Sequence, residues 1–204
     1  MKDINNLGDT HFDILKEIGS IGSGNAVTSL GKMLEKKVEM PVPSVKLLEF
    51  KDIAGFIGGP SNIIVGVLVS LTGDINGIMM FILDMKSANA MVDVVMGGMV
   101  PKNDTFGELE MSAVNEIGNI LISAYVGSLS GLTKLRITPS IPYMSIDMAN
   151  AILSVPAIEF GKVADRVLFI ESGFKVDKIE MSGYFILVPD MPSLSRILSA
   201  LGVG

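Results

Sequence analysis

Cysteine is absent from the 204 residues, tryptophan is absent too, and histidine occurs once, at His11. Without cysteine there is no disulfide framework, no thiolate nucleophile and no cysteine-ligated zinc. One histidine makes no histidine-pair metal site, and His11 reads as a surface residue at the entry to a helix. Charge is sparse: 19% of residues carry it, and the net charge is −6. That balance argues against nucleic acid as a partner, because phosphate contacts draw on clustered Lys and Arg. It permits a basic protein partner. Long apolar runs are missing as well. The longest, Ile63 to Leu71, ends before Gly73-Asp74 and is far short of a bilayer span. The first residues lack a basic segment followed by an apolar one, so no signal peptide is expected. The reading is a cytoplasmic protein without membrane insertion.

What the chain does have is apolar content, 49% of residues, enough for a sizeable core. It also has a signature that occurs twice, 99 residues apart. Asp13, Glu17, Ser20 and Pro43 recur as Ser112, Glu116, Asn119 and Pro142. An acid at i and a polar residue at i+3 share one face of a helix, one turn apart. Around them Ile18, Gly19, Ile21, Val27, Ser29 and Leu30 match Ile117, Gly118, Ile120, Val126, Ser128 and Leu129. Downstream the offset becomes 106, where Gly77–Ile82 faces Gly183–Val188 and Asp84-Met85 faces Asp190-Met191. About seven extra residues are therefore expected near 145–162. The halves run from 10 to 98 and from 108 to 204, joined by a polar, turn-rich linker over 99–107. Halves of this size would not readily bury their strands alone, so one pseudo-symmetric body is expected.

Each half reads as a long helix, an alternating segment with prolines at an edge, a pair of apolar strands and a short closing helix. Val114, Ile117, Leu121, Ala124 and Ser128 form the inner stripe of the second long helix. Ile63–Leu71 with Gly77–Leu83, and Arg166–Glu171 with Gly183–Val188, are apolar enough to be covered on both faces. The closing helices are 86–96, stopped by Gly97-Gly98, and a helix from Pro192 to Gly202. The fold class is α/β of the α+β kind, a duplicated central sheet with long and short helices packed on it.

Opposite the apolar stripes lie two polar ones: Asp13, Glu17, Ser20 and Gly24, and Ser112, Glu116, Asn119 and Ser123. A single such stripe is ordinarily a solvated helix face. A spaced repeat that ends each time in proline favours function. Gly19, Gly22, Gly24 and Gly118 each cost about 1 kcal/mol inside a helix relative to alanine. They serve either tight helix-on-sheet packing or the close approach of another surface. Gly19-x-x-Gly22-x-Gly24 has a superficial phosphate-loop look but lacks the Lys-Ser/Thr and a preceding strand.

The pattern Asp/Ser-x3-Glu-x2-Asn-x22-Pro, present twice, resembles the signature of the CheC/CheX/FliY phosphatases of bacterial chemotaxis. Lys16–Ala26, Thr72–Gly77 and Asn115–Ile120 are similar to the CheC branch in particular, over essentially the whole chain. The resemblance implies hydrolysis of the aspartyl phosphate on the response regulator CheY. The family role of positioning a water falls to Asn119, and that of pairing with the receiver's lysine to Glu116. Glu17 carries over as the acid of the first site, while Asp13, Ser20, Ser112, Pro43 and Pro142 complete the docking face. The family has Asn where Ser20 stands, so a weaker or docking-only first site is expected. No metal or cofactor of the chain's own is implied, with Mg²⁺ expected on the receiver. The resemblance further implies a surface for the receptor deamidase CheD, with Asp147 as its candidate, although an Asp there equally suits a helix N-cap. A non-catalytic adaptor that binds a receiver, CheD or the flagellar switch is the alternative, and a nucleotide-binding protein a distant third.

Overall fold

The computed structural model describes residues 8–98, 105–160 and 166–202. The element order is α1 (Asp9–Leu34), β1 (Val38–Glu39), β2 (Ser44–Glu49), α2 (Phe50–Phe56), β3 (Ile63–Gly73), β4 (Gly77–Asp84) and α3 (Met85–Met96). It continues as α4 (Glu108–Thr133), β5 (Ile137–Pro139), β6 (Tyr143–Met148), α5 (Ala149–Phe160), β7 (Arg166–Val176), β8 (Ile179–Pro189) and α6 (Met191–Ala200). The same succession of elements runs through the chain twice. The expected mixed architecture of long and short helices on a central sheet is what forms. Part of the expected 99–107 linker, residues 99–104, lies outside the described residues.

Three elements were not anticipated, β2, β6 and α2, and α5 was foreseen only as a helix entered at Asp147. The α2 segment has only seven residues, too few for a periodic signal, and α5 carries Pro156 inside it. The extra residues of the second half are also more spread than expected. The offset is still 99 at β6 and is 106 from Gly183 in β8 onward. Part of the excess therefore sits after Met148, in an α5 longer than α2, and part in the β7–β8 arm, beyond 162.

All pairings in the sheet are antiparallel, in the order β1-β7-β8-β4-β3-β5, with β2 also on β7 and β6 also on β3. The halves are interleaved. At the middle, β4 of one half pairs with β8 of the other, Phe81 opposite Phe185, and the outer strands β2 and β6 are each held by the opposite half. Alternation along the strands sorts side chains to two faces. Val65, Val67, Val69 and Leu71 point to the layer containing α1, α3, α4 and α6, whereas Ile64, Met80, Ile82 and Phe169 point to α2 and α5. Both faces are thus covered, which accounts for the near-continuous apolar runs.

The halves also exchange polar contacts. Asp84 and Asp190 cap α3 and α6 by accepting from the backbone N–H of Ser87 (2.6 Å) and Ser193 (2.8 Å). The hydroxyl oxygen of Ser87 then accepts from the backbone N–H of Ser182, and that of Ser193 from Asn76. Each cap serine therefore serves a strand arm of the other half.

The two long helices touch each other at Gly22. A β-carbon there would stand 2.8 Å from the ring of Tyr125. That ring packs on Phe185 with centroids 4.2 Å apart, and its hydroxyl meets Ser23 Oγ at 2.8 Å and Ser172 Oγ at 3.4 Å. Beside it, Asn25 donates to Ser128 Oγ at 2.9 Å. A β-carbon on Gly118 would stand 2.8 Å from Val67 of β3. The packing role of these glycines is therefore the one realised, and Gly24 alone of the four looks onto open space.

Two expectations follow. Gly118→Ala forces Val67 to shift and is expected to destabilise the fold by about 1–2 kcal/mol net of the alanine's better helix propensity. Gly127→Ala, where a β-carbon meets nothing within 4 Å, is expected to stabilise by up to about 1 kcal/mol. Chemical denaturation reads both, and equal effects would contradict this packing. Second, burial raises the Tyr125 hydroxyl above its ordinary value, only partly offset by Ser172 and Ser23. The folded protein then holds this proton more tightly than the unfolded chain. Its contribution is intact below about pH 10 and falls as the pH rises beyond it. Tyr125→Phe should cost about 1 kcal/mol at neutral pH and flatten the alkaline decline, measured by urea unfolding from pH 8 to 11.

Candidate functional site

The spacing of the signature follows from the geometry of its two kinds of backbone. α1 and α4 each end in a left-handed residue, Glu35 at φ 51° and Lys134 at φ 59°, which turns the chain back along the helix. Extended chain advances about 3.3 Å per residue and a helix about 1.5 Å. Eight residues of extended chain beyond the turn therefore retrace about 17 residues of helix. Pro43 and Pro142 lie eight residues beyond Glu35 and Lys134. They come back level with the turns that hold Glu17 to Ser20 and Glu116 to Asn119. Contact confirms this in the first copy, where a β-carbon on Gly19 would stand 2.8 Å from Pro43 Cγ. Glycine at 19 and a buried proline at 43 thus bring the returning strand directly beneath the acid-bearing turn.

The outward faces carry the polar stripes. Asp13, Glu17, Ser112 and Glu116 are exposed, and Ser20 and Asn119 are half-buried one turn further along. Among the described residues, none makes a hydrogen bond or ion pair with the side chains of Glu17, Ser20, Glu116 or Asn119. These groups are presented to solvent and do no visible work within the fold. The neighbours of the two copies differ. Lys16 reaches Asp13 at 3.9 Å in the first. Its counterpart in the second is Asn115, whose buried Oδ1 has no hydrogen-bond partner. No group of three or more His, Asp or Glu arranged to hold a metal ion occurs among the described residues.

Asp13, Glu17 and Ser20 share one face of α1 with Pro43 packed beneath it against Gly19, and Ser112, Glu116 and Asn119 share the matching face of α4, with Pro142 on the chain that returns along it. Asp147 is elsewhere. It lies exposed on β6, and with Tyr143 and Ser145 it lines a shallow groove against Ala151 and Ile152 of α5, the opposite sheet face. The N-cap reading for it is overturned. Its Oδ1 accepts the N–H of the adjoining Met148 at 2.7 Å, and α5 begins only at Ala149, whose N–H goes to the Asn62 carbonyl. The phosphate-loop reading also fails, because Gly19, Gly22 and Gly24 sit within α1, where backbone N–H groups belong to the helix.

Two residues at the rims were not singled out from the sequence. Val42 and Ile141 are 76% and 89% exposed and immediately precede the signature prolines. An apolar residue at the same offset in both copies was the available signal. No helix among the described residues is long and apolar enough to cross a membrane.

Comparison with known proteins agrees with this layout. The pattern of the CheC-like family matches residues 11–47 and 109–145, each match running from the start of a long helix through its signature proline. The chain is 31% identical over 206 residues to the CheY-P phosphatase CheC of Bacillus subtilis, covering 99% of both. Its fold is similar to that of Thermotoga maritima FliY, with a TM-score of 0.77 and 24% identity over 97% of this chain and 98% of that one. It is also similar, at a TM-score of 0.51 and 16% identity, to a chain in the CheX–CheY–BeF3–Mg²⁺ complex of Borrelia burgdorferi, covering 83% of this chain and 96% of that one. At those identities the structures speak for the fold alone. Near-complete coverage by a CheC, with the family pattern falling on both acid-bearing helices, makes this chain a member of the CheC-like family.

Proposed function

We propose that the chain hydrolyses the aspartyl phosphate of a CheY-type receiver, chiefly at the second site. The observation that carries this reading is the complete Glu116/Asn119 pair, its acid exposed and its amide half-buried, both unengaged by the fold and repeated in outline on α1. An acyl phosphate is already activated for hydrolysis. What remains is to place a water in line with the phosphorus and to hold the receiver in register. The carboxamide oxygen of Asn119 accepts one hydrogen from that water and aims its lone pair, without titrating. The water's oxygen bonds to phosphorus as the bond to the aspartate oxygen breaks. Phosphate leaves, and the receiver recovers its carboxylate. Glu116 pairs with the cationic lysine of the receiver and fixes the docking register. The Mg²⁺ of the reaction belongs to the receiver, and the location that suits this substrate is the cytoplasm.

The first site offers Glu17 for the same pairing, but the Ser20 hydroxyl is one bond shorter than an asparagine carboxamide and falls short of the water. It docks a receiver with little or no turnover. The distinction is read by decay of phosphorylated CheY with catalytic amounts of protein. Asn119→Ala should lose most of the acceleration, at least about tenfold, a common size for losing one positioning contact. Ser20→Ala should change it less than twofold, and Ser20→Asn should raise it. Equal losses from Ser20→Ala and Asn119→Ala would refute the asymmetry. Wild-type protein that binds CheY without accelerating decay would instead mark an adaptor.

Asp147 and its groove lie on the face opposite the acid patches, so a second protein could sit there without displacing the receiver. We assign this face to the deamidase CheD. Asp147→Lys should abolish co-elution with CheD, whereas Asn119→Ala should retain it. Retention by both variants would remove Asp147 from that interface.

A further inference from the structure

Val42 and Ile141 stand at equivalent positions, one residue before the prolines that underlie the two acid patches, and both turn a large aliphatic side chain to water. Single exposed apolar residues are ordinary on a protein surface. Here the exposure recurs at the same register in two halves whose sequences have otherwise diverged, beside the groups proposed to meet the receiver. The backbone at the second position is also fixed. The Ser140 N–H donates to the Ser70 carbonyl at 2.8 Å, and Ser140 Oγ accepts from the Ser70 N–H at 3.1 Å and donates to the Ile141 carbonyl at 2.8 Å. Ile141 is thus held outward by β3, with little backbone freedom left to lose on binding. At the other end of the stripe, one turn before Ser112, Leu109 is 70% exposed. Its counterpart in the first copy is Thr10.

We infer that Ile141, with Leu109, is the apolar anchor of the second site, and that it seats on an exposed apolar surface beside the phosphorylated aspartate of the receiver. Val42 is the corresponding and weaker anchor of the first site. This rests on the receiver-phosphatase reading above and adds a division of labour to it. The polar pair Glu116/Asn119 sets register and orients water, while the aliphatic rim supplies affinity. Ile141 is a positioning residue that touches the partner's surface and not the reacting atoms. The rim also explains how a first copy lacking the amide remains a binding site, since its anchor and its acid are both intact.

The test uses the full-length chain and CheY of the same source, phosphorylated for turnover or loaded with beryllofluoride and Mg²⁺ for binding. Ile141→Ser is expected to raise KM for phosphorylated CheY, and Kd for the beryllofluoride form, about tenfold, the scale of losing one largely buried aliphatic side chain. The kcat should stay within twofold. Ile141→Leu should restore both constants, and Ile158→Ser should leave them unchanged. Ile158 is a comparably exposed control, 74% accessible, on α5. Wild-type kinetics with Ile141→Ser, beside a severe loss with Asn119→Ala, would overturn the anchor and leave the phosphatase reading standing. A loss confined to kcat would overturn it too. Loss of self-association in sedimentation, with KM unchanged, would show that the rim serves a second copy of this chain instead. If wild-type protein neither binds nor turns over CheY, both readings fall.

Discussion

Everything functional in this molecule hangs on the contact of α1 with α4. Where they touch, Gly22 lets the ring of Tyr125 lie against the helix backbone, and the Tyr125 hydroxyl joins Ser23 to Ser172 of the sheet. The pair therefore cannot rotate about their axes without opening a packed aromatic contact and stranding a buried hydroxyl, which costs more than most single interactions contribute. Because each helix has one face committed to the sheet and its partner, the opposite face is fixed outward. The acid stripes inherit their direction from that commitment. At the positions related to Gly22 and Tyr125 by the repeat stand Leu121 and Ala26. Large and small have been exchanged between the copies, so the helix pair is complementary instead of merely duplicated.

A second constraint acts along the chain. The difference in rise between helix and extended backbone ties a residue on the returning strand to a turn far back on the helix. The long gap between the acid and the proline of each signature is thus a measure of one helix-and-return unit. Lengthening either helix end would slide the proline, and the exposed residue before it, away from the acid-bearing turn. That coupling ties Val42 and Ile141 to the acid-bearing turns despite their lying more than twenty residues away in sequence.

The duplication, the long helices, the apolar strand pairs and the closing helices were legible because they leave strong periodic or repeated signals: a 3.6-residue stripe in α4, continuous apolar runs in β3 and β4, and helix stops at Gly97-Gly98 and Gly202. The signature residues were legible for the same reason, since a polar pair repeated at one spacing has no packing explanation. The hidden elements were short or internally contradictory. α2 has two turns, and α5 contains a proline and an almost uniformly apolar sequence with no clear polar face. The interleaving of β2 with β7 and β6 with β3 was also out of reach, because strand partners far apart in sequence are chosen by tertiary packing and not by local pattern. Asp147 shows the cost. Its neighbours looked like a helix entry, and only the pairing of Asp147 with Ile64 shows that the strand continues past it.

Interleaving has a consequence for the unequal sites. The outer strand of each half is paired to the other half, and each cap serine binds the opposite strand arm, so the fold needs both halves whichever of the proposed sites turns over. α1 must persist as scaffold whatever it does chemically. Scaffold duty, however, explains only the inward residues, Leu15, Ile18, Ala26 and Leu30. It does not explain Glu17, which is exposed, engages no described group and sits next to a Ser20 that is equally unengaged. Replacing either costs the fold almost nothing, so folding alone would let both drift. One has departed from the second copy and the other has not. A carboxylate at the matching register, beside an aliphatic residue exposed at its own, is what the proposed docking role asks of the first copy.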